Sequence, residues 1–422
     1  MPLTWRILLA LICGLGAGLV VASLDPAASS TIVAIAEPVG AIWLDGLRMT
    51  IIPLVFGLVV NGIASASDAA SAGAVARKAL LLFASLLLLA GLLSAFAMPA
   101  LLALWPISGD TAGAFASSAH ASAAPQAIPP ASEWVKQIVP ANPIAAAAEG
   151  AMLPIVIFAV VFGFAATRIA GEARERICGL FDAIVQVMLV IVHWVLLLAP
   201  VGVFALALLV TARAGASVVG GLAHYVIVIS ILCTLTIVAM YAVIAWFSRI
   251  PVGTFAKAAW PAQAIAFSTQ SSLASLPAMV EKSRTYLRVP THVSDLVLPL
   301  AVSLFRITSP AANLGVALYL AHMNGIHPSV FQIAAGVVVA AIVSLASVGL
   351  PSQVSFFSVV APVCIVVGAP VEPLALLLAV ETIPDIFRTV GNVTADIAAT
   401  ALIGAPATED EAGAEAASDA SA

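Results

Sequence analysis

The run Val380-Glu-Thr-Ile-Pro-Asp-Ile-Phe-Arg-Thr-Val-Gly-Asn-Val-Thr-Ala-Asp396 sets polar groups at regular intervals into an apolar stretch. At about 100° per residue of helix, Glu381, Asp385, Arg388, Thr389, Asn392 and Asp396 share an arc of about 100°. The opposite face is Ile, Val and Ala. The guanidinium of Arg388 can take a carboxylate through two parallel hydrogen bonds. Asp385, one turn earlier, can hold an ammonium group. A small molecule bearing an amine and two carboxylates would satisfy both. Asp396 and Asn392, two turns further on, offer hard oxygen ligands suited to an alkali cation or a proton. A plainer alternative is an Asp385–Arg388 salt bridge at i, i+3 that only joins helices. It leaves Asn392 and Asp396 without a purpose.

Two further segments carry hydroxyls in apolar surroundings. They are Ala264-Ile-Ala-Phe-Ser-Thr-Gln-Ser-Ser-Leu-Ala-Ser-Leu-Pro277 and Ser344-Leu-Ala-Ser-Val-Gly-Leu-Pro-Ser352. Irregular backbone at membrane depth survives only when buried in protein or lining a cavity. Paired interruptions are the sequence mark of a transporter's binding site. Both are read as re-entrant helical hairpins, one from each side. The competing view is ordinary spanning helices whose Ser and Thr bond back to helix carbonyls.

The elements that must position these residues are membrane helices. Of 422 residues, 62% are hydrophobic and 9% charged, with a mean hydropathy of +1.15. Soluble domains carry about 25% charged residues. Runs near 7–24, 43–64, 79–105, 151–169, 180–212 and 222–247 are long enough to span a bilayer. Longer segments at 292–323 and 371–404 hold charges. The first run, behind Arg6, reads as an uncleaved membrane helix. Residues 106–139, rich in Ser, Ala and Pro, read as an external loop. The acidic end, 405–422, reads as a disordered tail. With the N-terminus inside, eleven Lys and Arg residues fall on the cytoplasmic side, and only Arg48, Lys136 and Arg213 outside. Both termini are therefore expected to be cytoplasmic.

Cys13, Cys178, Cys233 and Cys364 show no metal-type spacing, and the six histidines flank no serine motif at a catalytic spacing. Enzyme chemistry is not expected, nor is a nucleic-acid partner. An anion channel lined by Arg306 and Arg388 is the alternative from another class.

These residues resemble the glutamate-transporter-like dicarboxylate/amino acid:cation symporters over nearly the whole chain. Arg388-Thr-Val-Gly-Asn-Val-Thr-Ala-Asp396 is similar to that family's RTxxNVTGD signature. Ala266-Phe-Ser-Thr-Gln-Ser-Ser-Leu-Ala-Ser-Leu-Pro277 resembles its serine-rich hairpin. Leu47–Phe56, Pro140–Pro154 and Ala199–Phe204 look like its second, fourth and fifth helices. The resemblance implies an all-α integral membrane fold with eight transmembrane helices, two re-entrant hairpins and an elevator mechanism, assembled as a homotrimer. Residues 1–64 would be scaffold helices 1 and 2, 65–105 helix 3 of the transport part, 140–212 scaffold helices 4 and 5, and 222–404 the rest of the transport part.

The resemblance also implies roles. Arg388 takes the substrate's side-chain carboxylate and Asp385 its amino group. Asn392, Ser271 and Ser272 meet the main-chain carboxylate, and Thr389, Ser309, Arg306 and Leu350 complete the pocket. Asp396, Asn392, Ser303, Ser344 and Ser347 are the expected ligands of a coupling cation, Na+ or H+, with no other cofactor. The implied function is symport of an acidic amino acid such as glutamate or aspartate across the cytoplasmic (inner) membrane. A C4-dicarboxylate or another amino acid is the alternative cargo. Dicarboxylate carriers of the family lack the acid at Asp385, so its presence favours an amino acid.

Two departures stand out. Where the family carries NMDGT, ungapped alignment places Phe305-Arg-Ile-Thr-Ser309, and an alternative through Asn313–Tyr319, which needs an insertion of about two helical turns, also lacks the Asp; either way one sodium site is dismantled. Gly349-Leu-Pro-Ser-Gln-Val354 replaces a glycine-rich tip in the second hairpin. The expectation is that Arg306, a fixed cation, compensates Asp396 in place of an ion and alters sodium coupling.

Overall fold

A computed structural model describes residues 3–24, 26–71, 73–107, 139–215, 217–346 and 352–404. Their regular structure is wholly helical, in sixteen helices. Residues 108–138 of the external loop, the acidic tail, Ser347 and Leu350 lie outside the described residues.

The first three helices are α1 (Leu3–Ala22), α2 (Pro26–Ser71) and α3 (Ala74–Leu104). After the undescribed loop come α4 (Pro143–Ala148), α5 (Met152–Ala166), α6 (Gly171–Leu197), α7 (Ala199–Ala214) and α8 (Ser217–Phe247). The rest are α9 (Val252–Thr269), α10 (Ser272–Thr285), α11 (Thr291–Leu304), α12 (Thr308–Met323), α13 (Val330–Ala346), α14 (Ser352–Val367), α15 (Leu374–Val380) and α16 (Thr382–Ile403).

Among the described residues, seven segments are long and apolar enough to cross a membrane. They are Trp5–Ala22, Ala28–Ser71, Ala74–Leu104, Gly171–Leu197, Ser217–Phe247, Thr291–Met323 and Thr382–Ile403. Helix α2 is 46 residues long, about 69 Å, and holds Pro38 and Pro53 in its interior. It begins well before the apolar run at 43–64, because Ser29, Ser30, Thr31 and Glu37 lower hydropathy without stopping a helix. The single run at 180–212 divides instead, into α6 and α7. Pro200 sits in the first turn of α7, where its missing N–H costs no bond.

Helices α1 and α7 lie in close contact, and two glycines one turn apart make that possible. A Cβ at Gly14 would sit 2.6 Å from the Phe204 carbonyl oxygen, and one at Gly18 2.6 Å from that of Leu208. Small residues four apart let membrane helices approach backbone to backbone. We expect Gly14→Val and Gly18→Val each to lower the detergent-solubilised Tm, since overpacking costs about 1–3 kcal/mol. Gly16→Val is the control, because its Cβ meets nothing within 4 Å. Equal Tm values for all three would refute this account of the contact.

Two hydrophobic cores form. One joins buried side chains of α1, α2, α5 and α7 to those of α12–α15. The other gathers α3, α9, α10 and α11 around α16. The polar stripe on α16 therefore faces protein. Arg48 on α2 pairs with Glu372, just ahead of α15, and ties these regions of the chain together.

Candidate substrate and ion site

Helices α15 and α16 meet at Glu381, whose carbonyl accepts from Asp385 N at 2.9 Å. From this joint α16 carries its polar groups inward. Glu381, Arg388, Thr389 and Asn392 are buried, Asp396 has 0% exposure, and Asp385 is half-buried.

Arg388 has a charged partner that an i, i+3 reading does not name. Its Nη2 lies 2.8 Å from Glu381 Oε1, two turns earlier. Tyr225 on α8 donates its hydroxyl to Glu381 Oε2 at 2.5 Å, and Arg388 Nη1 donates to Asn313 Oδ1 on α12 at 3.0 Å. The Phe356 ring of α14 lies 6.0 Å from the guanidinium carbon. The Nη2 contact has the distance of an ion pair without the alignment of a hydrogen bond. Arg388 Nε and Nη2 are both buried with no hydrogen-bond partner. A guanidinium whose donors are not all satisfied, beside a half-buried acid, is equipped to receive an anion.

The second feature is the interruption between α11 and α12 at Phe305–Ile307. Phe305 is fully buried and stacks on Phe83 of α3, with centroids 4.5 Å apart and planes 9° off parallel. Thr308, the first residue of α12, donates its backbone N–H to Asn392 Oδ1 at 3.0 Å. Its hydroxyl lies 2.8 Å from Asn392 Oδ1 and 2.9 Å from the Arg388 carbonyl oxygen. Asn392 thus spends its carbonyl oxygen on pinning α12 to α16. Both carboxylate oxygens of Asp396 are buried without a hydrogen bond. Arg306, on the interruption, is the cation acting on Asp396, and it also feels Asp385.

The serine-rich segment is a helix–turn–helix. Helix α9 ends at Thr269, Gln270 adopts a left-handed conformation (φ 52°), and Ser271 caps α10 by accepting from Ala274 N at 3.2 Å. Ser271 and Ser272 are partly buried at this tip. Several hydroxyls do bond back to carbonyls, such as Ser275 to Ser271 O at 3.1 Å and Thr389 to Asp385 O at 2.9 Å. Back-bonding and the turn coexist. Gln263 of α9 donates to Thr394 Oγ1 at 2.8 Å, fastening this segment to α16. Helices α13 and α14 also lie in contact with one another.

The remaining predicted ligands are placed less tightly. Ser309 is partly buried in the first turn of α12, and Ser303 is exposed. Ser344 is buried and donates to Ala340 O at 2.6 Å. A cavity of about 480 Å³ lies between α2 and α6, lined by Asn61, Asp68, Arg174 and Asp182, none of which belongs to the stripe. Sequence reasoning assigned no role to Asn313, Tyr225 or Thr308. A lone Asn in the fully apolar middle of α12 was the available signal, since a buried amide demands a partner. His224 bridges Trp105 O (3.1 Å) and Tyr319 (3.3 Å), a structural duty.

Comparison with known proteins places this arrangement. The model of the "Sodium:dicarboxylate symporter family" matches residues 3–405. A "Proton/glutamate-aspartate symporter" of Escherichia coli (strain K12) is 28% identical over 413 residues, covering 95% of this chain and 92% of the relative. A "Proton/sodium-glutamate symport protein" of Bacillus caldotenax is 27% identical over 396 residues, 93% and 91% of the two chains. A "C4-dicarboxylate transport protein" of Azorhizobium caulinodans is 27% identical over 376 residues, 87% and 82% of the two chains. The match runs through every element that builds the stripe and its surroundings. The chain belongs to the sodium:dicarboxylate symporter family, and is a transport protein rather than an enzyme.

Proposed function

We propose that the chain is a secondary active symporter of an acidic amino acid, glutamate or aspartate, across the cytoplasmic membrane. One observation carries this reading: buried Arg388 keeps Nε and Nη2 without hydrogen bonds beside the half-buried acid Asp385. Arg388 receives the side-chain carboxylate, Asp385 the ammonium, and the first-hairpin tip at Ser271 and Ser272 the main-chain carboxylate. The relatives' names, which include glutamate-aspartate and C4-dicarboxylate carriers, agree with a cargo that bears two carboxylates. Succinate is the second reading, and Asp385 argues against it, since a dicarboxylate gives that acid nothing to hold.

The proposed architecture is eight spanning helices with two re-entrant hairpins, α9–α10 and α13–α14. Residues 1–64 and 140–212 form a scaffold, and 65–105 and 222–404 a transport part that slides as an elevator within a homotrimer. Both termini are cytoplasmic. Contacts of α2 with α5, α6 and α7, and of α16 with α8, α9 and α11, agree with this division.

Arg306 supplies a permanent positive charge near Asp396, so one sodium ion of the coupling mechanism is dispensable. Uptake of radiolabelled L-glutamate and L-aspartate into proteoliposomes, with succinate as competitor, tests the whole reading. We expect saturable uptake with counterflow, largely retained when choline replaces sodium. Complete loss in choline would overturn the role of Arg306. Current that never saturates would overturn the carrier in favour of an anion channel.

A further inference from the structure

Helix α12 carries one polar side chain of which only half has a partner. Asn313 has 0% exposure and sits among Ala311, Ala312, Leu314 and Val316, all fully buried. Its Oδ1 accepts from Arg388 Nη1 at 3.0 Å. That bond fixes which way round the amide lies, because a guanidinium only donates and must meet the carbonyl end. The Nδ2 amino group is therefore the outer end, and it is buried with no hydrogen-bond partner. A local remedy exists elsewhere on the same helix. Asn324, its C-terminal cap, donates Nδ2 to the Leu320 carbonyl one turn back at 2.8 Å. Asn313 makes no such bond.

A buried amide donor without an acceptor is destabilising, and such a group calls for an explanation. The same holds for its neighbour, since Arg388 Nε and Nη2 also lack hydrogen bonds. The 3.0 Å contact joins the two side chains, so their unpartnered N–H groups form one cluster. The acceptors that touch this cluster are engaged. Asn313 Oδ1 is held by Nη1, and Glu381 Oε1 lies 2.8 Å from Nη2 as an ion pair. Glu381 Oε2 takes the Tyr225 hydroxyl, and on the functional reading Asp385 holds the ammonium. The Phe356 ring, 6.0 Å from the guanidinium carbon, offers only a π face. What this end of the site presents to a cargo is donors.

We infer that Asn313 is a cargo ligand that sets specificity: its Nδ2 donates to the carboxylate held by Arg388, so the site takes a carboxylate and rejects a carboxamide. A carboxylate accepts at both oxygens and can meet both residues. The side chain of L-glutamine has nearly the same shape but brings an NH2 group. Either way round, that group faces a donor, from Arg388 or from Asn313. Rejection then comes from hydrogen-bond polarity as well as charge. The inference rests on the assignment of Arg388 as the carboxylate receptor.

The test is isothermal titration of the purified full-length protein with three ligands. They are L-glutamate, L-glutamine, and the L-glutamate analogue whose side-chain carboxylate is replaced by a nitro group. The nitro side chain is neutral like that of L-glutamine, but it only accepts. Wild type is expected to bind the nitro analogue about five- to 150-fold more tightly than L-glutamine, the range for one mispaired buried polar group. This comparison needs no variant. Asn313→Asp keeps an oxygen for Arg388 Nη1 and turns the outer end from donor to acceptor. It should bind L-glutamine at least about fivefold more tightly than wild type does, while L-glutamate weakens. A residue that merely held Arg388 in place would give no gain for L-glutamine, and misfolding cannot create one. Asn313→Leu has no polar atoms and should weaken L-glutamate without that gain. Equal wild-type affinity for the nitro analogue and L-glutamine, or no gain for L-glutamine in Asn313→Asp, would overturn the inference and leave Arg388 as receptor. Unchanged L-glutamate affinity in Arg388→Ala would overturn the site itself.

Discussion

Arg388→Ala is expected to abolish binding of L-glutamate, and by a wide margin. Truncating one member of a buried, hydrogen-bonded charge pair costs about 2–5 kcal/mol, which is about thirtyfold to several thousandfold in Kd. The effect has two sources. The substrate loses its carboxylate receptor, and Glu381 is left as a buried carboxylate with only Tyr225 to bond. The second source is itself destabilising, so binding must be separated from folding. Arg388→Lys does this: it keeps the charge beside Glu381 but lacks the planar fork. Its Tm should stay close to wild type while its affinity falls most of the way to that of Arg388→Ala. Isothermal titration and a melting curve on the two variants decide the matter. Affinity retained by Arg388→Lys would mean that charge, not geometry, selects the ligand.

Gly391→Ala has the next largest effect, from the addition of one methyl group. Gly391 faces the start of α12, and a Cβ there would lie 2.4 Å from Thr308 Cγ2 and 3.3 Å from Ile237 Cγ1. Thr308 cannot yield without cost, because its backbone N–H and hydroxyl fasten α12 to Asn392 and to the Arg388 carbonyl. Overpacking of this kind costs about 1–3 kcal/mol, or about five- to 150-fold in affinity when the displaced groups shape the site. Thr308→Ser removes the obstructing Cγ2 and keeps the hydroxyl. The double variant Gly391→Ala/Thr308→Ser should therefore recover most of the L-glutamate affinity, a coupling that a double-mutant cycle measures directly. Additive losses would rule out the contact as the cause.

Both predictions start from residues legible in the sequence, although their partners were not. The stripe on α16 follows from helical spacing and the cost of charge in lipid, and its burial in protein agrees with that argument. The turn at Gln270 and Ser271 fell inside the hydroxyl-rich segment for a similar reason: polar groups in apolar surroundings need a break or a partner. The identity of the Arg388 partner was hidden, because a local i, i+3 rule favours Asp385. Helix α16 begins only at Thr382, and Glu381 occupies the joint before it, from which it reaches Arg388 across two turns. Long-range contacts such as Asn313 and Tyr225 leave no local periodic trace. Hydropathy also misjudged extents. It missed the polar first half of α2 and merged α6 with α7, where only Pro200 marked the division.

The aromatic pair Phe83–Phe305 carries a consequence for how the break between α11 and α12 responds to its medium. Here a ring set in hydrocarbon does the bracing, and diluting the medium cannot remove it. The kink is fixed by packing, so the entropy of ordering it is met at folding. A kink braced by stacked rings keeps its shape whatever the ionic strength of the medium.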